Sequence, residues 1–242
     1  MTTTADNQLR LSDKLNWDAL AKAYAEAGRL HVPDFLHPDD AALLHQSLRS
    51  RTDWRLVVNQ GDRSFDLDRA AQAALTPEQR QSLEQAVHAE ARYGFQYLYE
   101  SIRVPDAAAE RTGDDPLVAF ARFMSSDPVR QFLRQVTAKP AIDFADAQAT
   151  AYGPGHFLTA HDDEVAGKNR HAAYVFNLTP RWRVDWGGLL LFEGKGGHIE
   201  QGFTPSFNAL NLFTVPQPHS VSMVAPFAAN RRYSITGWLR SA

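Results

Sequence analysis

The sequence predicts an α+β, β-dominated fold: a β core of sandwich or jelly-roll type carrying an N-terminal helical layer. Three observations predict it. The chain changes character near residue 140. Before that point apolar residues recur at helical spacing between capping residues. After it, short alternating runs follow one another with Pro or Gly in nearly every gap. No Gly/Ser-rich linker, repeat or low-complexity stretch separates the halves. They therefore read as one domain, 15–242, with a helical support layer over 15–137 and the β core over 140–240. Residues 1–14 are expected to form a disordered tail.

The elements follow in order. Trp17–Gly28 is Ala-rich and ends on Gly, a common helix stop. Pro38–Ser50 opens with Pro and two Asp, which suit a first helical turn. Thr76–Tyr93 begins TPEQ, with Thr76 as a cap and Glu78 and Gln79 in the first turn. Pro116–Met124 and Pro128–Thr137 are two shorter helices. Arg29–Val32 and Arg55–Asn59 read as strands within this half. In the second half strands are expected at 147–152, 171–178, 188–192, 209–215, 219–224 and 233–239.

Composition narrows the function. With 242 residues, 44% of them hydrophobic and 22% charged, the chain can bury a sizeable core. Its formal net charge of −3 argues against a phosphate-backbone binder, so no nucleic-acid partner is expected. The absence of cysteine excludes disulfides, Fe–S clusters, thiolate zinc sites and cysteine nucleophiles. Any metal must sit on His, Asp or Glu. No apolar run approaches the ~18–20 residues that span a bilayer. The first residues lack a signal-peptide core. The expectation is a cytoplasmic protein with no membrane partner.

His161-Asp162-Asp163 follows the turn-forming stretch Tyr152-Gly153-Pro154-Gly155. In an extended chain, residues two apart share a face, so His161 and Asp163 can converge. One imidazole and one carboxylate are two thirds of the facial triad that leaves open positions on Fe(II). Among the nine histidines, His219 is best placed for the third ligand, opening an alternating strand after a Pro-rich turn. His156 is the local rival, and His171 and His198 are weaker ones. Arg232 shares a strand face with Ser234, Thr236 and Trp238, opposite Tyr233, Ile235, Gly237 and Leu239. An arginine there suits a free carboxylate through paired, charge-assisted hydrogen bonds. Residues 60–64 (QGDRS) read either as a loop over the site or as a plain surface loop.

The ordered set Tyr152 … His161-Asp162-Asp163 … Asn177-Leu178-Thr179-Pro180-Arg181-Trp182 … Gly187-Gly188-Leu189-Leu190-Leu191-Phe192 … Pro218-His219-Ser220-Val221 … Arg232-Tyr233-Ser234-Ile235-Thr236-Gly237-Trp238 resembles the prolyl-hydroxylase-like branch of the 2-oxoglutarate/Fe(II) oxygenases. The resemblance implies a double-stranded β-helix (jelly-roll) core. It implies Fe(II) on His161, Asp163 and His219, with 2-oxoglutarate and dioxygen as co-substrates and ascorbate as an accessory reductant. It implies that Arg232, Tyr152, Thr236 and the residue at 177 line the co-substrate pocket. Relatives often carry a second tyrosine at that last position; here Asn177 stands there, with Tyr174 three residues earlier. Gly187-Gly188 matches a pair where the backbone passes close to the barrel wall. Asp163 stands where halogenating relatives lack a carboxylate, so the resemblance implies hydroxylation.

The implied substrate is a prolyl residue of a protein or peptide, with a free amino acid or other small metabolite as the alternative. Two other classes remain open on the residues alone: a metal-dependent hydrolase on the same ligands, and a non-catalytic jelly-roll binding module.

Overall fold

A computed structural model describes residues 9–241. Residues 1–8 of the expected tail lie outside the described residues. The rest of that expectation is corrected: Leu9 is buried, Leu11 forms an isolated bridge with Leu36, and Arg10 is bonded to both Asp40 oxygens. A strip this short offers no period to read, and its partners are distant in sequence.

The chain runs α1 (Trp17–Ala27), β1 (Arg29–Val32), α2 (Pro38–Ser50), β2 (Arg55–Gln60), β3 (Arg63–Leu67), α3 (Arg69–Ala74), α4 (Pro77–Ala91), β4 (Tyr97–Arg103), α5 (Pro116–Met124) and α6 (Asp127–Thr137). It continues β5 (Phe144–Ala145), β6 (Gln148–Tyr152), β7 (Phe157–His161), β8 (Arg170–Asn177), β9 (Leu190–Glu193), β10 (Ile199–Phe203), β11 (Ala209–Thr214), β12 (His219–Val221) and β13 (Arg232–Arg240).

Local chemistry explains the helix ends. Asn16 accepts the Ala19 N–H at the start of α1, and Gly28 closes it with φ 67°. Thr76 and Gln79 form a reciprocal capping box on α4.

The strands pair antiparallel in the order β1-β11-β8-β13-β6-β4-β7-β12-β9-β10. This sheet curls into a near-closed jelly-roll barrel. Across the seam between its two ends, Arg29 of β1 donates to Gln201 (2.7 Å) and Glu200 (2.7 Å) of β10.

The helical-layer expectation for 15–137 needs one substantial correction. β4 lies in the middle of the sheet, between β6 and β7, and also pairs with β2. Its sequence, YLYESIR, hid it, because a charged residue stands where a strand core is normally apolar. Glu100 is buried there and paired with Arg69 and Arg231. Those partners are unreadable from local pattern. Residues 60–64 are likewise no open loop, but the turn and flanks of the β2–β3 hairpin.

Helices α1, α2, α5 and α6 cover one side of the sheet. On α6 the buried residues Val129, Phe132, Leu133 and Val136 repeat at helical spacing. They join Phe35, Phe120, Tyr174, Phe176, Leu212, Ile235 and Leu239 in the main core. Phe120 stacks on Phe176 at 5.2 Å. The opposite side of the same strands faces the barrel interior.

Candidate active site

Strand pairing builds the site. His219 opens β12 directly opposite His161, the last residue of β7. Their ring centroids lie 4.1 Å apart. Asp163 follows two residues after β7 but not in extended form, since its φ is 66°. The face-alternation argument for this pair is therefore corrected: a left-handed residue, which Asp tolerates better than most, turns the carboxylate back. Asp163 Oδ1 lies 3.4 Å from His161 Nε2, and Oδ2 lies 3.5 Å from His219 Nε2. One ligand atom from each of the three falls within 4.8 Å of the others. His156, His171 and His198 are not part of this cluster.

Backbone carbonyls set the ring orientation. His161 Nδ1 donates to Thr159 O (3.0 Å) and His219 Nδ1 donates to Gln217 O (2.7 Å). This puts a proton on each Nδ1 and turns both Nε2 atoms towards Asp163, the edge a metal-binding imidazole presents. Burial, aided by His161, lowers the His219 pKa to about 4, so its ring is neutral at physiological pH. For Asp163, burial pushes upward, but the His161 hydrogen bond and the two histidines outweigh it and hold the carboxyl below its usual range. Two imidazoles and one carboxylate form a donor set that suits Fe(II).

The triad opens into a cavity of about 350 Å³. The same cavity is lined by Arg232, Thr236, Tyr152 and Tyr99. Arg232 is only 2% exposed, has no carboxylate partner among the described residues, and its Nε has no hydrogen bond. Burial lowers its pKa, with Tyr152 opposing. The guanidinium lies 5.0 Å from the Tyr152 ring centroid. A buried cation without a counterion is costly unless an anion completes it. The free carboxylate of 2-oxoglutarate fits that need, and Arg232 stands in the same cavity as the triad. Glycine makes room for the arginine. A Cβ on Gly187 would lie 2.1 Å from Met223 O, and one on Gly188 would meet Arg232 Cδ at 3.3 Å.

The remaining expected residues divide. Thr236 lines the cavity and accepts a long hydrogen bond from Gln148 (3.4 Å). Asn177 does not line it: its amide donates to Val175 O and Ala209 O. Its Oδ1 is unpartnered, across β13 from Ser234, whose hydroxyl is also unpartnered. Tyr174 borders the cavity, but its hydroxyl is occupied by Asp146 O (2.8 Å). A second tyrosine on this cavity wall, besides Tyr152, comes from β4. Tyr99 stacks on Tyr152 at 5.1 Å and 16°, and burial pushes its hydroxyl up to about 12. Sequence reasoning missed it because β4 was missed. The alternation Tyr97-Leu98-Tyr99 was the available signal. Phe95, 49% exposed, extends this aromatic wall to His161 (5.4 Å) at the cavity mouth.

Residues 147–240 match the family model described as the 2OG-Fe(II) oxygenase superfamily. In sequence the chain is similar to Prolyl 3-hydroxylase OGFOD1 of Xenopus laevis, 31% identical over 124 residues, and of Mus musculus, 31% identical over 134 residues. Those matches cover 48% and 51% of this chain and 24% of each relative, so the chain spans about a quarter of their length. In structure it is similar to a Pseudomonas putida prolyl-4-hydroxylase (TM-score 0.62, 18% identity, covering 93% of this chain and 99% of that one). It is also similar to a Trichoplax adhaerens prolyl hydroxylase in complex with a hypoxia inducible factor oxygen degradation domain peptide fragment (TM-score 0.61, 17% identity, covering 93% and 89%). At these identities the structures speak to fold. The segment that carries the triad, residues 147–240, is thus similar to the 2OG-Fe(II) oxygenase superfamily, and it lies on a fold similar to that of solved prolyl hydroxylases.

Proposed function

We propose that this protein hydroxylates a prolyl residue of a protein or peptide, using Fe(II), 2-oxoglutarate and dioxygen. The observation that carries the reading is Arg232: a buried guanidinium without a counterion, facing the same cavity as His161, Asp163 and His219. A metal-dependent hydrolase on the same ligands has no use for that arginine. The prolyl substrate rests on the relatives, whose printed activities are prolyl hydroxylations.

Bound together, Fe(II) and 2-oxoglutarate would activate dioxygen, the oxidant, with one oxygen atom going to succinate as 2-oxoglutarate loses CO2 and the other to an unactivated C–H bond. The protein supplies position and shielding. His161, Asp163 and His219 would hold the metal on one face, leaving the cavity side open. Arg232 would bind the distal carboxylate of 2-oxoglutarate and fix its direction. Thr236 and Tyr152 flank that end, and stacked Tyr99 and Tyr152 keep it dry. Phe95 and Tyr97 offer the mouth an apolar wall suited to a pyrrolidine ring.

Succinate release with Fe(II) and 2-oxoglutarate tests the class, and product mass against a panel of prolyl peptides and free amino acids tests the substrate. The expected result is Fe(II)-dependent succinate, stimulated by prolyl peptides with a gain of one oxygen. Absence of succinate under all conditions overturns the reading.

A further inference from the structure

The main cavity does not end at the triad. A second cavity of about 170 Å³ continues from it, and the two share Arg103, Gln148, Arg170, Thr236, Gly237 and Trp238 in their walls. This side arm is basic. Arg103, at the end of β4, has no hydrogen bond or ion pair among the described residues, and neither does the Lys168 ammonium. Arg170 lies over the Trp238 ring, 3.6 Å from its centroid, and one of its nitrogens donates to Asp163 O (2.8 Å). Its Nε is buried and has no partner. The two acids of the arm, Asp106 and Asp146, share the one guanidinium of Arg240, at 3.2 Å from each. Asp162 and Glu164 border the main cavity but not the arm. The arm thus carries four cations, Arg103, Lys168, Arg170 and Arg240, against two acids, and Arg170 is held against an aromatic ring and tied to the backbone of a triad residue.

The geometry points to a substrate-reading subsite: we infer that Arg103, Lys168 and Arg170 receive a carboxylate carried by the primary substrate next to the carbon that is oxidised. This rests on the hydroxylase reading above and adds to it a charge requirement on the substrate. Arg232 lines the main cavity but not the arm and is assigned to the co-substrate, so a second anion in the arm meets no competition from it. A carboxylate suits the site because Arg170 presents a planar, pre-oriented donor edge. The carboxylate has two sources: an acidic residue beside the target proline in a peptide, or the α-carboxylate of a free amino acid.

The test compares matched probes on the full chain. Short peptides with one proline and one Asp at each neighbouring position are set against the same peptides with Asn, and free proline is set against prolinamide. The expected result is a KM about tenfold lower for the carboxylate member of one pair. Which pair discriminates identifies the source. Arg103 is exposed, so its replacement spares the fold. Arg103→Ala should remove most of that discrimination, Arg103→Lys should keep it, and Arg103→Glu should invert it towards Lys-bearing peptides. Equal KM values for Asp and Asn peptides and for proline and prolinamide overturn the subsite. So does discrimination that survives Arg103→Glu. Succinate formation without added substrate reports the proposed oxygenase activity on its own, so the two readings fail separately.

Discussion

Strands β8 and β13 carry two different proteins on their two faces. On the helical side, Tyr174 and Phe176 of β8 and Ile235 and Leu239 of β13 are packed into the main core. On the barrel side, Ala173 and Val175 face Thr236, Trp238 and Arg232 around the cavity. The period of two sends alternate side chains to opposite faces, with Tyr174 of the core set also bordering the cavity. One face is dense and apolar and supplies stability. The other tolerates a bare buried cation and unpartnered polar atoms at Asn177 and Ser234, which stability alone does not favour. A single strand thus holds the site rigid with one set of side chains and does chemistry with the other.

Substitutions on the two faces should separate cleanly. The largest effect is expected at the triad: Asp163→Ala should reduce succinate release to background and abolish thermal stabilisation by Mn(II), while the metal-free protein stays folded by circular dichroism. Normal turnover in that variant would remove Asp163 from the ligand set. On the helical face, Phe176→Ala should cost about 3–5 kcal/mol in denaturant unfolding. Its effect on KM for 2-oxoglutarate in whatever remains folded should be small. A pure catalytic defect at Phe176 would break the two-face division.

Arg232→Met sharpens the division further. It should weaken 2-oxoglutarate binding by about tenfold to a hundredfold. It should leave stability unchanged or higher, because it removes an unpaired buried charge. A large loss of stability would show that the guanidinium is structural.

A weaker effect comes from acid. Burial lowers the His156 pKa to about 4, below its ordinary value of 6.5. The unfolded chain therefore binds a proton that the folded chain refuses between those values, and stability falls as pH drops from 6.5 towards 4. This one group contributes a loss of about 3 kcal/mol by pH 4. His156→Phe should flatten that limb of the stability–pH curve.

Much of this division was legible in the sequence. The face pattern of β13 could be read from Arg232-Tyr233-Ser234-Ile235-Thr236 because the strand alternates without interruption. Helices α1, α2 and α5 announced themselves through Pro, Asp and Gly at their ends. The triad was legible as residue types in order. Its geometry was not, because Asp163 reaches the metal position through a left-handed turn rather than by strand alternation. β4 was hidden by Glu100, whose two arginine partners come from α3 and the start of β13. With β4 went Tyr99 and Arg103, one stacked on Tyr152 in the main cavity and one in the side arm. What sequence pattern could not supply was pairing across the sheet, which no local period encodes.

The most direct test of the central claim is calorimetric titration of 2-oxoglutarate into the Mn(II)-loaded protein, run on wild type, His219→Ala and Arg232→Met. The expected result is one 2-oxoglutarate per chain in the wild type, no binding when His219 is lost, and much weaker binding when Arg232 is lost. Undiminished binding in either variant would contradict a site in which these two residues, from different strands, hold opposite ends of one co-substrate complex.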